Sequence, residues 1–147
     1  MEFFFKGIIP VDFAGLPVNL ENYRELADQH DLWIIEDACH APGGFFIDSL
    51  GNKKMCGDST YSDTTVFSFH PVKHIACGEG GMVTTNSKEL YDKLCLLRSH
   101  GITKNNMTNN DGPWYYEMQE LGFNYRLTDI QSSLGITQLA KNEEGVS

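Results

Sequence analysis

Three stretches of the 147-residue chain bring together side chains that could do chemistry. In the first, the apolar run Leu32-Trp33-Ile34-Ile35 ends in Glu36 and Asp37, followed by Cys39, His40 and then Pro42-Gly43-Gly44. A carboxylate at the carboxyl end of a buried strand faces the crevice where open α/β sheets hold ligands. A strand-end Asp can also do no more than cap a turn; here His40 and the glycines beside it make a site an equal reading. The second stretch is Phe67-Ser68-Phe69-His70-Pro71-Val72-Lys73-His74, leading into Gly78-Glu79-Gly80-Gly81. Ser68 at a strand end can hydrogen-bond a phosphate, and the glycines let the backbone turn tightly. If Lys73 is partly desolvated its amine is more readily neutral, and a neutral amine attacks carbonyl carbon to form a Schiff base. The alternative is a surface lysine in a loop. In the third stretch, Asn124 and Arg126 precede Thr128-Asp129-Ile130-Gln131, the start of a capped helix whose N-terminus favours negative charge. A capped helix with a solvated arginine would account for that segment equally well.

Competing motifs fit less well. His70, His74 and Cys77 stand four and three apart, which on a helix would give zinc ligands on one face. Pro71 and the strand-like Thr64–Phe69 run argue against a helix there, and a fourth ligand is missing, so no metal site is expected. No Gly-Lys-Ser/Thr follows the glycines, which excludes a Walker-type phosphate loop, and no nucleophile elbow is present.

The elements that must position these residues can be read from apolar patterning. Gly7–Phe13 reads as a strand that Pro10 confines to an edge or a bulge. Asn19 caps a helix carrying Leu20, Tyr23, Leu26 and Ala27 at helical spacing. Asp31–Glu36 reads as a strand buried on both faces, and Phe3-Phe4-Phe5 as the edge of another buried strand. Thr64–Phe69 and Gly81–Thr85 are further strands. Ser87 caps a helix striped by Leu90, Leu94 and Leu97, and Thr128 with Gln131 forms a capping box for a last helix with Ile130, Leu134 and Leu139. Asn105–Gly112 is a polar loop. Strands alternating with helices give an α/β class.

Composition narrows the partners. Eleven Lys and Arg against 20 Asp and Glu leave a net charge of −9, which disfavours nucleic acid and anionic membrane surfaces. No apolar run approaches the roughly 20 residues of a membrane helix, and the start has no basic segment or cleavage signal. Four cysteines at 39, 56, 77 and 95 with no CxxC pair read as free thiols of a cytoplasmic protein.

Taken together, PVDFAGLPVNL (10–20), WIIEDACHAPGG (33–44), FSFHPVKHIACGEGGMVTTN (67–86) and YEMQELGFNYRLTDIQSSLG (116–135) resemble the DegT/DnrJ/StrS-type family of pyridoxal-phosphate-dependent nucleotide-sugar aminotransferases. The resemblance implies part of a fold-type-I large domain over residues 1–140, a three-layer α/β/α sandwich on a mostly parallel sheet, with 141–147 a polar tail. It implies pyridoxal 5'-phosphate as cofactor and Lys73 as the Schiff-base lysine. Asp37 matches the partner of the pyridine nitrogen, His40 the position beside the phenolic oxygen, and Ser68 a phosphate ligand. Asn124, with Arg126 close by, matches a residue reaching the phosphate region of the neighbouring subunit, so a homodimer is implied. The implied reaction moves an amino group from an amino acid, L-glutamate by resemblance, to a keto-sugar nucleotide of the UDP-4-keto-6-deoxy-N-acetylhexosamine type. A dehydrating branch of the family carries His where this chain has Lys73.

The chain is well under half the family's usual length, so it reads as a fragment that lacks a phosphate-binding turn and the smaller domain. Alone, it is expected to be poorly soluble or partly unfolded, and inactive. The alternative to an enzyme segment is a non-catalytic remnant or interaction module that pairs with a full-length homologue.

Overall fold

The computed structural model describes residues 5–103 and 112–142. In chain order the elements are β1 (Gly7–Ile8), a 3-10 turn (Phe13–Gly15), α1 (Leu20–His30), β2 (Trp33–Asp37), β3 (Phe45–Ile47), β4 (Lys53–Met55), β5 (Thr64–Ser68), β6 (Gly81–Thr84), α2 (Lys88–Leu97), β7 (Ile102–Thr103), β8 (Glu117–Met118) and α3 (Asp129–Leu139). They divide into a unit of Met1–Asn86 with Thr128–Ser147 and a second unit of Ser87–Leu127.

The first unit is an α/β layer on a four-stranded sheet in the order β1-β2-β5-β6. β1 and β5 both run parallel to β2, and β6 closes the other edge antiparallel to β5. β1 is shorter than the strand expected over Gly7–Phe13. Pro10 has no N–H to give, and ladder pairing stops after Ile8. The register nevertheless continues: Gly7 faces Trp33, Ile8 faces Ile34, and Val11 makes an isolated bridge to Asp37. Gly7 is required by close approach, since a β-carbon there would collide with the indole ring of Trp33.

α1 forms where its cap and apolar spacing predict. The Asn19 side chain accepts from the Glu21 N–H at 3.0 Å, and Asp31 ends the helix in a left-handed turn. Its Leu20 and Ala27 pack with Ile34 of β2 to make the core, flanked by Ile8, Val18, Tyr23, Leu32, Phe46 and Tyr61. This cover lies on one face of β2 only. Burial therefore alternates along the strand: Ile34 and Glu36 are buried while Trp33 is 44% exposed, which corrects the expectation of a strand buried on both faces. The triple-Phe expectation is corrected at Phe5, which is 79% exposed; Phe3 and Phe4 lie outside the described residues.

The crossover from β2 to β5 carries a hairpin that the sequence reading passed over. β3 and β4 pair antiparallel, and Asp48 organises the turn between them. Its Oδ1 accepts from the N–H groups of Leu50 (3.1 Å) and Asn52 (2.7 Å), and its Oδ2 from the Asn52 amide (3.1 Å). α3 begins at the expected capping box, with the Gln131 N–H donating to Thr128 Oγ1 at 3.3 Å and Gln131 Oε1 accepting from the Thr128 N–H at 3.1 Å. Its apolar residues are not covered by the described chain; Ile130 is 84% exposed.

In the second unit, Ser87 caps α2 by accepting from the Leu90 N–H at 3.3 Å. β7 and β8 form a short antiparallel pair. The chain at Gly101 and Gly122 comes so close that a β-carbon on either would strike backbone. The polar loop expected over Asn105–Gly112 falls outside the described residues except for Gly112. The four cysteines are free thiols, and no helix among the described residues is long and apolar enough to cross a membrane.

Candidate active site

Asp37 and Ser68 are the last residues of β2 and β5, two parallel neighbours, so both stand at the carboxyl ends of adjacent strands. Asp37 is fixed by its own backbone and by a turn. Its N–H donates to the Pro10 carbonyl at 2.9 Å, its carbonyl accepts from the Asp12 N–H at 3.0 Å, and its Oδ1 accepts from the Cys39 N–H at 3.1 Å. Its carboxylate also meets the Cys39 thiol. Asp37 thus caps its own turn from the carboxyl end of β2.

His40 follows in the same turn. Its Nδ1 accepts from the Ala14 N–H at 3.4 Å, which places the proton of the neutral ring on Nε2, and its ring tilts against Phe13 at 5.8 Å. Ala14 adopts a left-handed conformation (φ 53°), and the 3-10 turn carries it to the imidazole.

Ser68 opens the loop that carries Lys73, its hydroxyl accepting from the His70 N–H at 3.3 Å. The loop is closed at its base. The Phe69 N–H donates to the Gly80 carbonyl (2.8 Å), and the Cys77 N–H to the Phe69 carbonyl (3.1 Å). Within it the Lys73 N–H donates to the His70 carbonyl (2.9 Å), a turn rather than a helix. His70 lies 3.9 Å from Glu79, and the Cys77 thiol donates to the Glu79 carbonyl at 3.2 Å. Lys73 is half-buried, and no hydrogen-bond or ion-pair partner for its amine is found among the described residues.

The Cys39 thiol lies between the two strands, donating to the Val66 carbonyl of β5 at 3.9 Å. Burial pushes it up to about 11, the hydrogen bond and charge of Asp37 push the same way, and the charge of Lys73 opposes them. The charges of Asp37, at the end of β2, and of Lys73, within the loop after β5, thus bear on this thiol in opposite senses.

Asn124 and Arg126 belong to the second unit. Asn124 bridges to Ser99, and the Tyr125 N–H donates to the Arg98 carbonyl at 2.9 Å. The rings of Phe123 and Tyr125 stack at 4.9 Å. Arg126 is exposed and borders an open cleft of about 260 Å³ with Ser99, His100, Ile102, Thr103 and Tyr116.

The sequence reading missed a buried cluster behind Asp37. Asp12, Glu36 and Cys56 bring a ligating atom each to within 4.8 Å of one another, the one such group of three among the described residues. Glu36 sits on the inward side of β2, two residues after Ile34. A charge on the apolar face of a two-residue period is the signal that would have found it.

The chain matches a family model over residues 2–147, that of the DegT/DnrJ/EryC1/StrS aminotransferase family. It is 43% identical over 135 residues to the UDP-4-amino-4,6-dideoxy-N-acetyl-beta-L-altrosamine transaminase of Campylobacter jejuni, covering 92% of this chain and 32% of that protein. It is 36% identical over 141 residues to the spore coat polysaccharide biosynthesis protein SpsC of Bacillus subtilis, covering 95% and 34%. Among solved structures it resembles Helicobacter pylori PseC, an aminotransferase involved in the biosynthesis of pseudoaminic acid. That match has a TM-score of 0.79 and 36% identity, over 95% of this chain and 34% of that one. A putative sugar aminotransferase of Streptococcus pneumoniae, in its PLP-form, matches with a TM-score of 0.71 and 28% identity, over 95% and 37%. The chain thus spans about a third of the length of the curated relatives it matches. With its strand-end carboxylate, its loop lysine and nearly all of its length inside the match, the chain belongs to the DegT/DnrJ/EryC1/StrS aminotransferase family.

Proposed function

We propose that this chain carries the lysine-bearing part of a pyridoxal-phosphate-dependent enzyme that transfers an amino group from an amino acid, glutamate by preference, to a keto-sugar nucleotide. The observation that carries the reading is the placement of Asp37 and Ser68 at the carboxyl ends of adjacent parallel strands, with Lys73 in the loop that Ser68 opens. The donor set fits the cofactor: a half-buried amine with no partner among the described residues, a strand-end carboxylate, an imidazole, and a strand-end hydroxyl. When bound, the cofactor supplies an electron sink for a carbon that loses a proton.

Each residue then has a stated task. Lys73 holds the cofactor covalently and moves the proton at Nζ. Asp37, its turn fixed by the Cys39 N–H, would pair with the cofactor's ring nitrogen and keep it protonated. His40, held by Ala14 and Phe13, presents Nε2–H beside the phenolic oxygen. Ser68 contributes to phosphate binding. Asn124 and Arg126 serve the phosphate region of a second subunit, in a homodimer whose large domain includes residues 1–140. The relatives named for an altrosamine transaminase support a UDP-linked 4-keto-6-deoxy-N-acetylhexosamine as the acceptor.

The test is an absorbance titration of the purified chain with pyridoxal phosphate, for wild type and Lys73→Ala. A band near about 420 nm that needs Lys73 and survives gel filtration is expected. Borohydride reduction and peptide mapping should then place the adduct on Lys73. No band, or a band unchanged in the Ala variant, would leave this chain a non-catalytic family remnant.

A further inference from the structure

The cluster behind Asp37 is not used by the proposed site. Asp12 is 0% exposed and Glu36 2% exposed. Both meet the thiol of Cys56, from the turn after β4, within 4.8 Å. Among the described residues no cation pairs with either acid. Those near carboxylates engage Asp28, Asp63, Asp48, Glu79, Asp92 and Glu120 instead. The groups that do serve the pair are neutral. Asp12 Oδ1 accepts from the Val18 N–H (2.9 Å) and Oδ2 from the Cys56 thiol (3.4 Å). Glu36 Oε2 accepts from the Gly57 N–H (3.1 Å) and the Thr65 hydroxyl (2.5 Å). The Cys56 thiol also meets Glu36, and the Glu36 and Asp12 side chains meet each other.

Two carboxylates in such a place cannot both carry charge without a cation, because desolvation and mutual repulsion act together. We infer that Asp12 and Glu36 share a single proton, carried on Glu36 and donated to Asp12, and that this acid–carboxylate clamp fastens the segment after β1 to β2 directly behind Asp37. The bond directions agree. The Thr65 hydroxyl has given its proton to Glu36, so in its 3.2 Å contact with Ser62 the Ser62 hydroxyl is the donor. The chain then runs one way, from Ser62 through Thr65 and Glu36 to Asp12. Burial raises the Glu36 pKa, the bonds from Thr65 and Gly57 offset part of that, and the nearby Asp12 raises it further. Burial and the same two acids raise the Cys56 thiol, which therefore stays protonated and remains a donor.

The clamp makes the fold sensitive to pH in a fixed direction. A folded-state pKa above the ordinary value contributes stability that is present at low pH and is lost as pH rises through the folded value. Above that point the bridging proton leaves for solvent and the two carboxylates repel.

The experiment is a carboxyl-carbon NMR titration of the full chain labelled at Asp and Glu, with thermal melts across the same pH range. Expected is one Glu resonance with its midpoint displaced upward, and its loss in Glu36→Gln. The amide can donate to Asp12 through nitrogen and accept from Thr65 and Gly57 through oxygen. Glu36→Gln is therefore expected to keep the clamp and to lose the fall in Tm that wild type shows above pH 4.5. Ordinary midpoints for every Glu, or equal pH slopes in both proteins, would overturn the proposal. So would one equivalent of a divalent cation that leaves with Glu36→Gln, since both acids would then be ionised ligands. Should the Gln variant not fold, the wild-type titration alone decides.

Discussion

The N–H of Asp12 donates to the carbonyl of Asp37 at 3.0 Å, which sews the segment after β1 to the end of β2 although ladder pairing has already lapsed at Pro10. Asp37 is thereby held from two sides, by that backbone bond and by its own grip on the Cys39 N–H. The carboxylate needs no neighbouring cation to keep its place, and Lys73 is left unpaired.

Cys39 reports on both groups. With its thiol pushed up to about 11, alkylation by iodoacetamide at pH 8 should run roughly a hundredfold slower than for an ordinary thiol. Lys73→Ala removes the one charge that lowers the thiol, so alkylation should slow further; Asp37→Asn should speed it. Mass spectrometry of the labelled Cys39 peptide measures all three. A Lys73→Ala rate equal to or above wild type would refute the opposed action of the two charges. The sign for stability follows as well: a raised thiol contributes below its ordinary value of 9.0 and that contribution is lost as pH climbs toward 11.

The β3–β4 turn should respond to acid. Burial raises the Asp48 carboxyl, but the N–H groups of Asn52 and Leu50, the Asn52 amide and the Tyr61 hydroxyl outweigh it and hold the pKa below 3.8. Stability from this group is present above the ordinary value and is lost as pH falls through the lower folded one. Asp48→Ala should lower Tm by several degrees and remove the acid slope from melts collected between pH 2 and 6; Asp48→Asn, with one acceptor oxygen left, should recover part of the loss. An unchanged slope in the Ala variant would count against the hub.

The packing of β1 on β2 can be tested from both sides. Gly7→Ala drives a methyl group into the Trp33 indole and should cost about 1–3 kcal/mol. Ile34→Ala empties the centre of the core under α1 and should cost about 2–5 kcal/mol. Urea melts measure both. Gly7→Ala combined with Trp33→Leu should recover most of the first loss, and a neutral Gly7→Ala would mean that the indole is free to move aside.

The strands and helices near the site were legible where a local signal sufficed. Asn19, Ser87 and the Thr128–Gln131 box marked helix starts, and the apolar runs at 33–37 and 64–68 marked adjacent strands. The three helices and the strand-end positions of Asp37 and Ser68 followed from those. What was not legible depended on partners distant in sequence. β3 and β4 are three residues each, too short for a period, although Asp48, Gly51 and Asn52 between them are ordinary turn residues. The one-sided burial of β2 depends on what covers each face, which an apolar run does not state. Asp12 and Glu36 acquire meaning only once Val11 is found opposite Asp37, because that register places the two acids together.

The loop over residues 69–80 joins β5 to β6 and is pinched shut at its base by the Phe69–Gly80 and Phe69–Cys77 bonds. Ser68 and Gly81 are register partners at that base, and the loop sends Ile75 and Cys77 into the interior. The segment bearing Lys73 is therefore anchored three times, at both strand ends and by its own buried apolar residues, so that a graft of a relative's loop would have to carry its interior residues along with its lysine.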